Sequence, residues 1–179
     1  PGCSGSEIGW LFDPAVLVDD DGTGYLYFGG IGNTAGKPDD FIKNPKCGRV
    51  VKLADDMVSL AGDPVTIDAP YMFEDSGINK IGDKYYYSYC TNWTNVSGRD
   101  ETIPAANIAV MESDNPMTGF KFVGCVLKNP GTYFGASGNN HHCFAEFKGT
   151  WYAFYHTKKD TLALGTKADY RTTYADILN

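Results

Sequence analysis

A chain of 179 residues is long enough for one domain with a substantial core. Hydrophobic residues make up 42% of it, aromatics 14%, and the net charge is −7, so it is globular and lacks the clustered Lys and Arg that a nucleic-acid surface needs. No apolar run reaches the roughly 18 residues of a membrane-spanning helix, which excludes that class of membrane partner.

Twelve Tyr and 21 Gly favour strands and tight turns. Five cysteines, Cys3, Cys47, Cys90, Cys125 and Cys143, form an odd set with no Cys-x-x-Cys pair. Buried free thiols are expected from that pattern, not a disulfide framework or a zinc site. Asn92-Trp93-Thr94 and Asn95-Val96-Ser97 match the glycosylation pattern, a match common by chance. The chain begins at Pro1 and shows no signal-peptide pattern, so no compartment is assigned.

In chain order, the first unit is WLFDPAVLVDDDGTGYLYFGG, Trp10 to Gly30, which reads as two strands and a turn. Asp13 heads the first strand among apolar neighbours. An acid there costs free energy unless something nearby uses its charge. Asp19, Asp20 and Asp21, at the far end of that strand, read as solvated turn residues. Two further strands are expected over Arg49 to Asp56 and Asp63 to Asp68.

The second unit is MFEDSGINKIGDKYYYSYCTN, Met72 to Asn92, followed by strands over Asn107 to Asp114 and Phe120 to Leu127. The third is NNHHCFAEFKGTWYAFYHT, Asn139 to Thr157. When the turn glycines Gly22, Gly82 and Gly149 are aligned, Tyr25, Tyr85 and Tyr152 coincide. So do Tyr27, Tyr87 and Phe154. The heads Asp13, Glu74 and His141 then lie 9, 8 and 8 residues before their glycines, with steps of 61 and 67 between heads.

Four antiparallel strands repeated at this spacing predict an all-β propeller. Its blades fall at approximately 10–68, 69–130 and 131–179, within a partial single domain over 1–179. No helical period exceeds two turns. A propeller closes with about 4 to 8 blades, so further blades are expected outside this chain, on its N-terminal side. The first strand of each blade lines the central axis, so the three heads should converge there. Strand alternation turns His142 away from His141 and gives it a structural role.

These motifs resemble those of family 43 glycoside hydrolases, nearest the branch acting on xylan and arabinoxylan, from about Trp10 to Arg171. The resemblance implies a five-bladed propeller that cleaves glycosidic bonds with inversion, using an Asp base, an Asp that tunes pKa and orients, and a Glu acid. Asp13 matches the orienting Asp, in the third blade. Glu74, in FEDSG, matches the general acid, in the fourth. An acid must hold its proton beforehand, and apolar neighbours such as Met72 and Phe73 and a nearby carboxylate favour that. His141, in NNHH, matches the fifth-blade axial His, often found near a bound calcium or water cluster. Calcium prefers oxygen ligands, so a direct His ligand would be unusual. Arg171, in YRTTY, resembles an Arg facing the sugar.

Phe73, a candidate substrate-binding residue, and Trp10, Tyr71 and Trp93 could each stack on a sugar ring, although core or rim packing is the better reading for all four. The family's base lies in its first blade, and no residue here takes that position. No cofactor is required by this chemistry, and a structural Ca2+ on the axis is compatible with it.

Three readings follow. One is part of an inverting α-L-arabinofuranosidase or β-xylosidase, with endo-1,4-β-xylanase or arabinanase as variants, binding arabinoxylan or xylan oligosaccharides. Another is a non-catalytic sugar-binding arc. The third is a half that assembles with a second chain or a copy of itself to regain the missing blades.

Overall fold

The computed structural model describes residues 10–31, 34, 36–166 and 170–178. Three antiparallel sheets follow one another along the chain. The first contains β1 (Ala15–Val18), β2 (Gly24–Phe28), β3 (Gly48–Lys52) and β4 (Val65–Ile67), in that order across the sheet. The second contains β5 (Met72–Ile81), β6 (Lys84–Thr91), β7 (Ile108–Ser113) and β8 (Lys121–Leu127), again in order. The third contains β9 (His142–Phe147), β10 (Thr150–Thr157) and β11 (Thr172–Ile177). The third sheet thus has three strands among the described residues, one fewer than the repeat predicts. Short helices at Asp39–Lys43, Gly131–Phe134 and Lys159–Ala163 sit in the connections.

The repeat is physical. Gly22, Gly82 and Gly149 occupy the first turn of their sheets at φ +82°, +60° and +79°, a conformation that Gly adopts without the Cβ penalty. Each turn sets the register of its hairpin, so equal offsets from the glycines reach equivalent points of successive sheets. The first strands, β1, β5 and β9, are neighbours in space.

The core lies between the first two sheets. Tyr27 and Tyr87, equivalent in the repeat, are fully buried and stack with ring centroids 5.9 Å apart; Tyr89 extends the stack at 5.8 Å. Val50, Met72, Ile78 and Met111 fill the space around them. Tyr27 donates its hydroxyl proton to the Pro116 carbonyl at 2.6 Å, which satisfies the one polar atom the ring brings inside. The third member of the series, Phe154, is 37% exposed and lies outside that core.

Two expectations need correction. Asp19 is not a solvated turn residue. Its carboxylate is largely buried and accepts hydrogen bonds from Lys80 Nζ and the Tyr85 hydroxyl, both at 2.5 Å, tying the first sheet to the second. Asp20 and Asp21 remain exposed. The thiols also divide: Cys47 and Cys90 are buried, Cys125 is half-buried and Cys143 is exposed, all four unpaired. Cys3 lies outside the described residues. The first glycosylation match is buried at Asn92, whose side-chain oxygen accepts the Thr94 amide, so no glycan fits there.

Candidate active site

The three heads meet. Asp13, Glu74 and His141 each offer an atom within 4.8 Å of the others. His141 Nε2 lies 2.9 Å from Glu74 Oε1 and 3.7 Å from Asp13 Oδ2. Asp13 Oδ2 also accepts the Asp75 backbone N–H at 3.0 Å. Asp13 and His141 open onto a cavity of about 560 Å³ between the inner strands, lined also by Ala15, Gly77, Asn79 and Phe144.

The local backbone makes this convergence possible. Asp13 has φ +51° just ahead of β1, Asp75 has φ +68°, and Asn139 has φ +61° two residues before His141. β5 carries register shifts on both sides of Glu74. Left-handed residues and bulges re-aim side chains, and they cost free energy that the surrounding bonds must offset. Here they turn the heads out of plain alternation and into one cluster.

Burial raises the pKa of Asp13, while the Asp75 N–H and the His141 charge oppose it and the Glu74 and Asp75 charges add to it. The hydrogen bond to Glu74 raises that of His141 against its burial, with help from the Asp75, Glu74 and Asp13 charges. Glu74 itself is 7% exposed.

Beside Glu74 runs a second cleft of about 320 Å³, lined by Phe73, Trp93, Gly138 and Asn139. Two half-buried aromatic faces and a polar amide flank the acid there. Phe73 therefore lies at the site, and Trp93 joins it. Tyr71 is instead core: it is 6% exposed, Arg99 packs over its ring at 4.4 Å, and its hydroxyl accepts the Asp100 amide. Trp10 packs edge-on to Phe12 at 5.0 Å.

Arg171 is exposed ahead of β11 and is not in the cluster. Its charge reaches His156, whose pKa is lowered first by burial and then by Arg171 and His141. The His156 ring lies 5.8 Å from that of His141, and its Nε2 is buried with no hydrogen-bond partner among the described residues. The sequence reading missed His156. The signal was available, since the chain has only three histidines and this one lies in the strand next to His141.

The donor set tests the calcium expectation. Calcium takes about six to eight oxygens. Asp13, Glu74 and His141 supply two carboxylates and one nitrogen, with His141 hydrogen-bonded to one of the carboxylates. These three residues do not by themselves fit a calcium cage.

No family model matches the chain. An arabinoxylan arabinofuranohydrolase of Paenibacillus polymyxa is 51% identical over 179 residues, covering 99% of this chain and 27% of that protein. One from Bacillus subtilis (strain 168) is 48% identical over 180 residues, covering 99% and 34%. The crystal structure of a glycoside hydrolase family 43 arabinoxylan arabinofuranohydrolase from Bacillus subtilis, in complex with cellotetraose, superposes with TM-score 0.91 at 46% identity, covering 99% of this chain and 36% of that one. The chain belongs to glycoside hydrolase family 43. A family 43 β-xylosidase/α-arabinofuranosidase from a compost metagenome, in complex with xylotriose and calcium-free, superposes at TM-score 0.70 and 28% identity, covering 95% and 55%. The chain thus spans 27% to 34% of the length of the arabinofuranohydrolases it matches. Its three sheets are blades of a family 43 propeller.

Proposed function

We propose that this chain carries the general-acid side of an inverting glycoside hydrolase that removes arabinofuranosyl groups from arabinoxylan. One observation carries the reading: the buried Glu74 carboxyl faces Asp13 and His141 within 4.8 Å, beside a cleft walled by Phe73 and Trp93. In the reaction Glu74 gives its proton to the glycosidic oxygen as the bond from that oxygen to the sugar carbon breaks. A water attacks the opposite face of that carbon and loses its proton to a base. Asp13 orients and tunes Glu74, and His141 holds it by hydrogen bond.

An inverting acid and base stand about 6.5–9.5 Å apart, to leave room for the water. Asp13 and Glu74 have atoms within 4.8 Å, which supports the orienting role for Asp13. No other carboxylate of the described residues joins the cluster. We assign the base, and the blades that carry it, to protein outside this chain. The likeness to arabinofuranohydrolases at 51% and 48% identity supports arabinose as the group removed, with xylosidase action as the second reading from the xylotriose complex. The candidate cage leaves calcium no step here; a structural axial ion would draw its oxygens from elsewhere.

The test uses the complete protein carrying this chain, on arabinoxylan and on 4-nitrophenyl α-L-arabinofuranoside. Glu74→Gln should abolish release from arabinoxylan and spare the aryl substrate more, because nitrophenolate leaves without a proton. Proton NMR should show first-formed arabinose of inverted anomeric configuration. Retention would make Asp13 a nucleophile and overturn this assignment.

A further inference from the structure

We propose that His142, clamped between Asp75 and Ser88, is the positioning residue that holds Asp13 and Glu74 in register; this rests on the roles just given to those two acids. His142 lies next to His141 but faces the other way, with a side chain only 1% exposed. Its Nδ1 lies 2.6 Å from Asp75 Oδ2, and its backbone N–H donates to the same oxygen at 3.0 Å. Its Nε2 lies 2.7 Å from Ser88 Oγ. Asp75 in turn donates its own N–H to Asp13 at 3.0 Å.

One chain of bonds therefore runs from Ser88 through His142 and Asp75 to Asp13. It joins β6, β9, β5 and the approach to β1, which belong to all three sheets. Glu74 is the residue between the Asp75 link and the bulge before it. Any shift of Asp75 moves Glu74 and Asp13 together with it.

The order Asp75, His142, Ser88 has the residue types of a nucleophilic triad, but the setting excludes that use. Ser88 is 1% exposed, and the space over it is closed by Gly77. A Cβ built on Gly77 would stand 2.4 Å from Ser88 Oγ and 3.0 Å from His142 Nε2. No substrate atom reaches that hydroxyl. Gly77 is thus part of the same device: only a residue without a side chain leaves room for the Ser88–His142 bond.

A positioning role differs from a structural one in which step it affects. Misplacing an acid harms reactions whose leaving group needs a proton, and much less those whose leaving group does not. The experiment compares wild type, His142→Leu, His142→Asn and Gly77→Ala in the complete protein, with arabinoxylan and with 4-nitrophenyl α-L-arabinofuranoside.

His142→Leu is expected to lose about 100-fold in kcat on arabinoxylan and several-fold less on the aryl substrate, with KM little changed. His142→Asn keeps an amide donor for Asp75 and should recover most of that loss. Gly77→Ala removes no member of the chain but displaces Ser88, and should reproduce the leaving-group difference in weaker form even if His142→Leu fails to fold. Equal losses on both substrates in Gly77→Ala and the His142 variants would overturn the proposal, as would unchanged kinetics. An inactive wild type would overturn the assigned function, and this inference with it.

Discussion

Glu74 and His141, 67 residues apart, meet at 2.9 Å between the second and third sheets. The contact ties Oε1 of the acid to a ring whose own pKa it raises. It also places His141 3.7 Å from Asp13, so one imidazole touches both carboxylates. Replacing it removes a hydrogen bond from a 7% exposed carboxyl. His141→Ala is expected to lower kcat on arabinoxylan by about 100-fold, with His141→Gln in between because its amide still reaches Glu74. Steady-state kinetics on the complete protein check this. Equal effects of Ala and Gln would point to lost packing as the cause.

The cleft beside Glu74 yields a different signature. Phe73 and Trp93 line the cleft together with Glu74 and offer apolar faces where a sugar ring can stack. Trp93→Ala should raise KM for arabinoxylan oligosaccharides about tenfold while kcat falls less. A tenfold loss of affinity corresponds to about 1.4 kcal/mol of binding free energy. Isothermal titration with a slow or Glu74→Gln background measures it directly.

Asp19 carries a pH-dependent share of stability. Burial of its carboxylate opposes ionisation, but hydrogen bonds from Lys80, Tyr85 and the Asp20 amide outweigh it and hold the pKa below the ordinary 3.8. A carboxylate lowered on folding stabilises the native state above its unfolded value, and the gain fades as pH falls through the folded value. Asp19→Asn should therefore cost about 1 to 2 kcal/mol near neutral pH. The gap to wild type should close below pH 3.8. Urea titrations across that range follow it. A gap constant with pH would mean that the bonds, not the charge, carry the effect.

The sequence made the heads of the blades legible for a mechanical reason. Turn glycines set hairpin register, so Asp13, Glu74 and His141 could be located by counting back from Gly22, Gly82 and Gly149. β7 and β8 were legible too, within a residue of the expected ranges, whereas β3 ends at Lys52, short of the expected Asp56, and β11 was not foreseen. What resisted was any contact that leaves this frame. The bulges around Glu74 break strict alternation, so nothing in the pattern showed that Asp75 turns to His142. Asp19 looked like a turn acid because its partner, Lys80, lies in another sheet. Phe154 fitted the Tyr27 and Tyr87 series by position, but burial depends on a neighbouring sheet that position alone does not supply.

Thiol reactivity tests the placement of the inner strands without any assay of activity. Burial pushes the Cys47 thiol up to about 12 and the Cys125 thiol up to about 11, and Cys90 is also raised. The thiolate is the reactive form, so these three should be slow near pH 8. Cys143 is exposed and lines the cavity between the inner strands, with Asp13 and His141. Among the four described cysteines, brief alkylation of the native protein with iodoacetamide, followed by peptide mapping, should label Cys143 first and Cys47 and Cys90 only after denaturation. Rapid native labelling of Cys90 would mean that the second sheet opens where the structure closes it. Protection of Cys143 in the complete protein would mean that another part of the molecule covers the cavity.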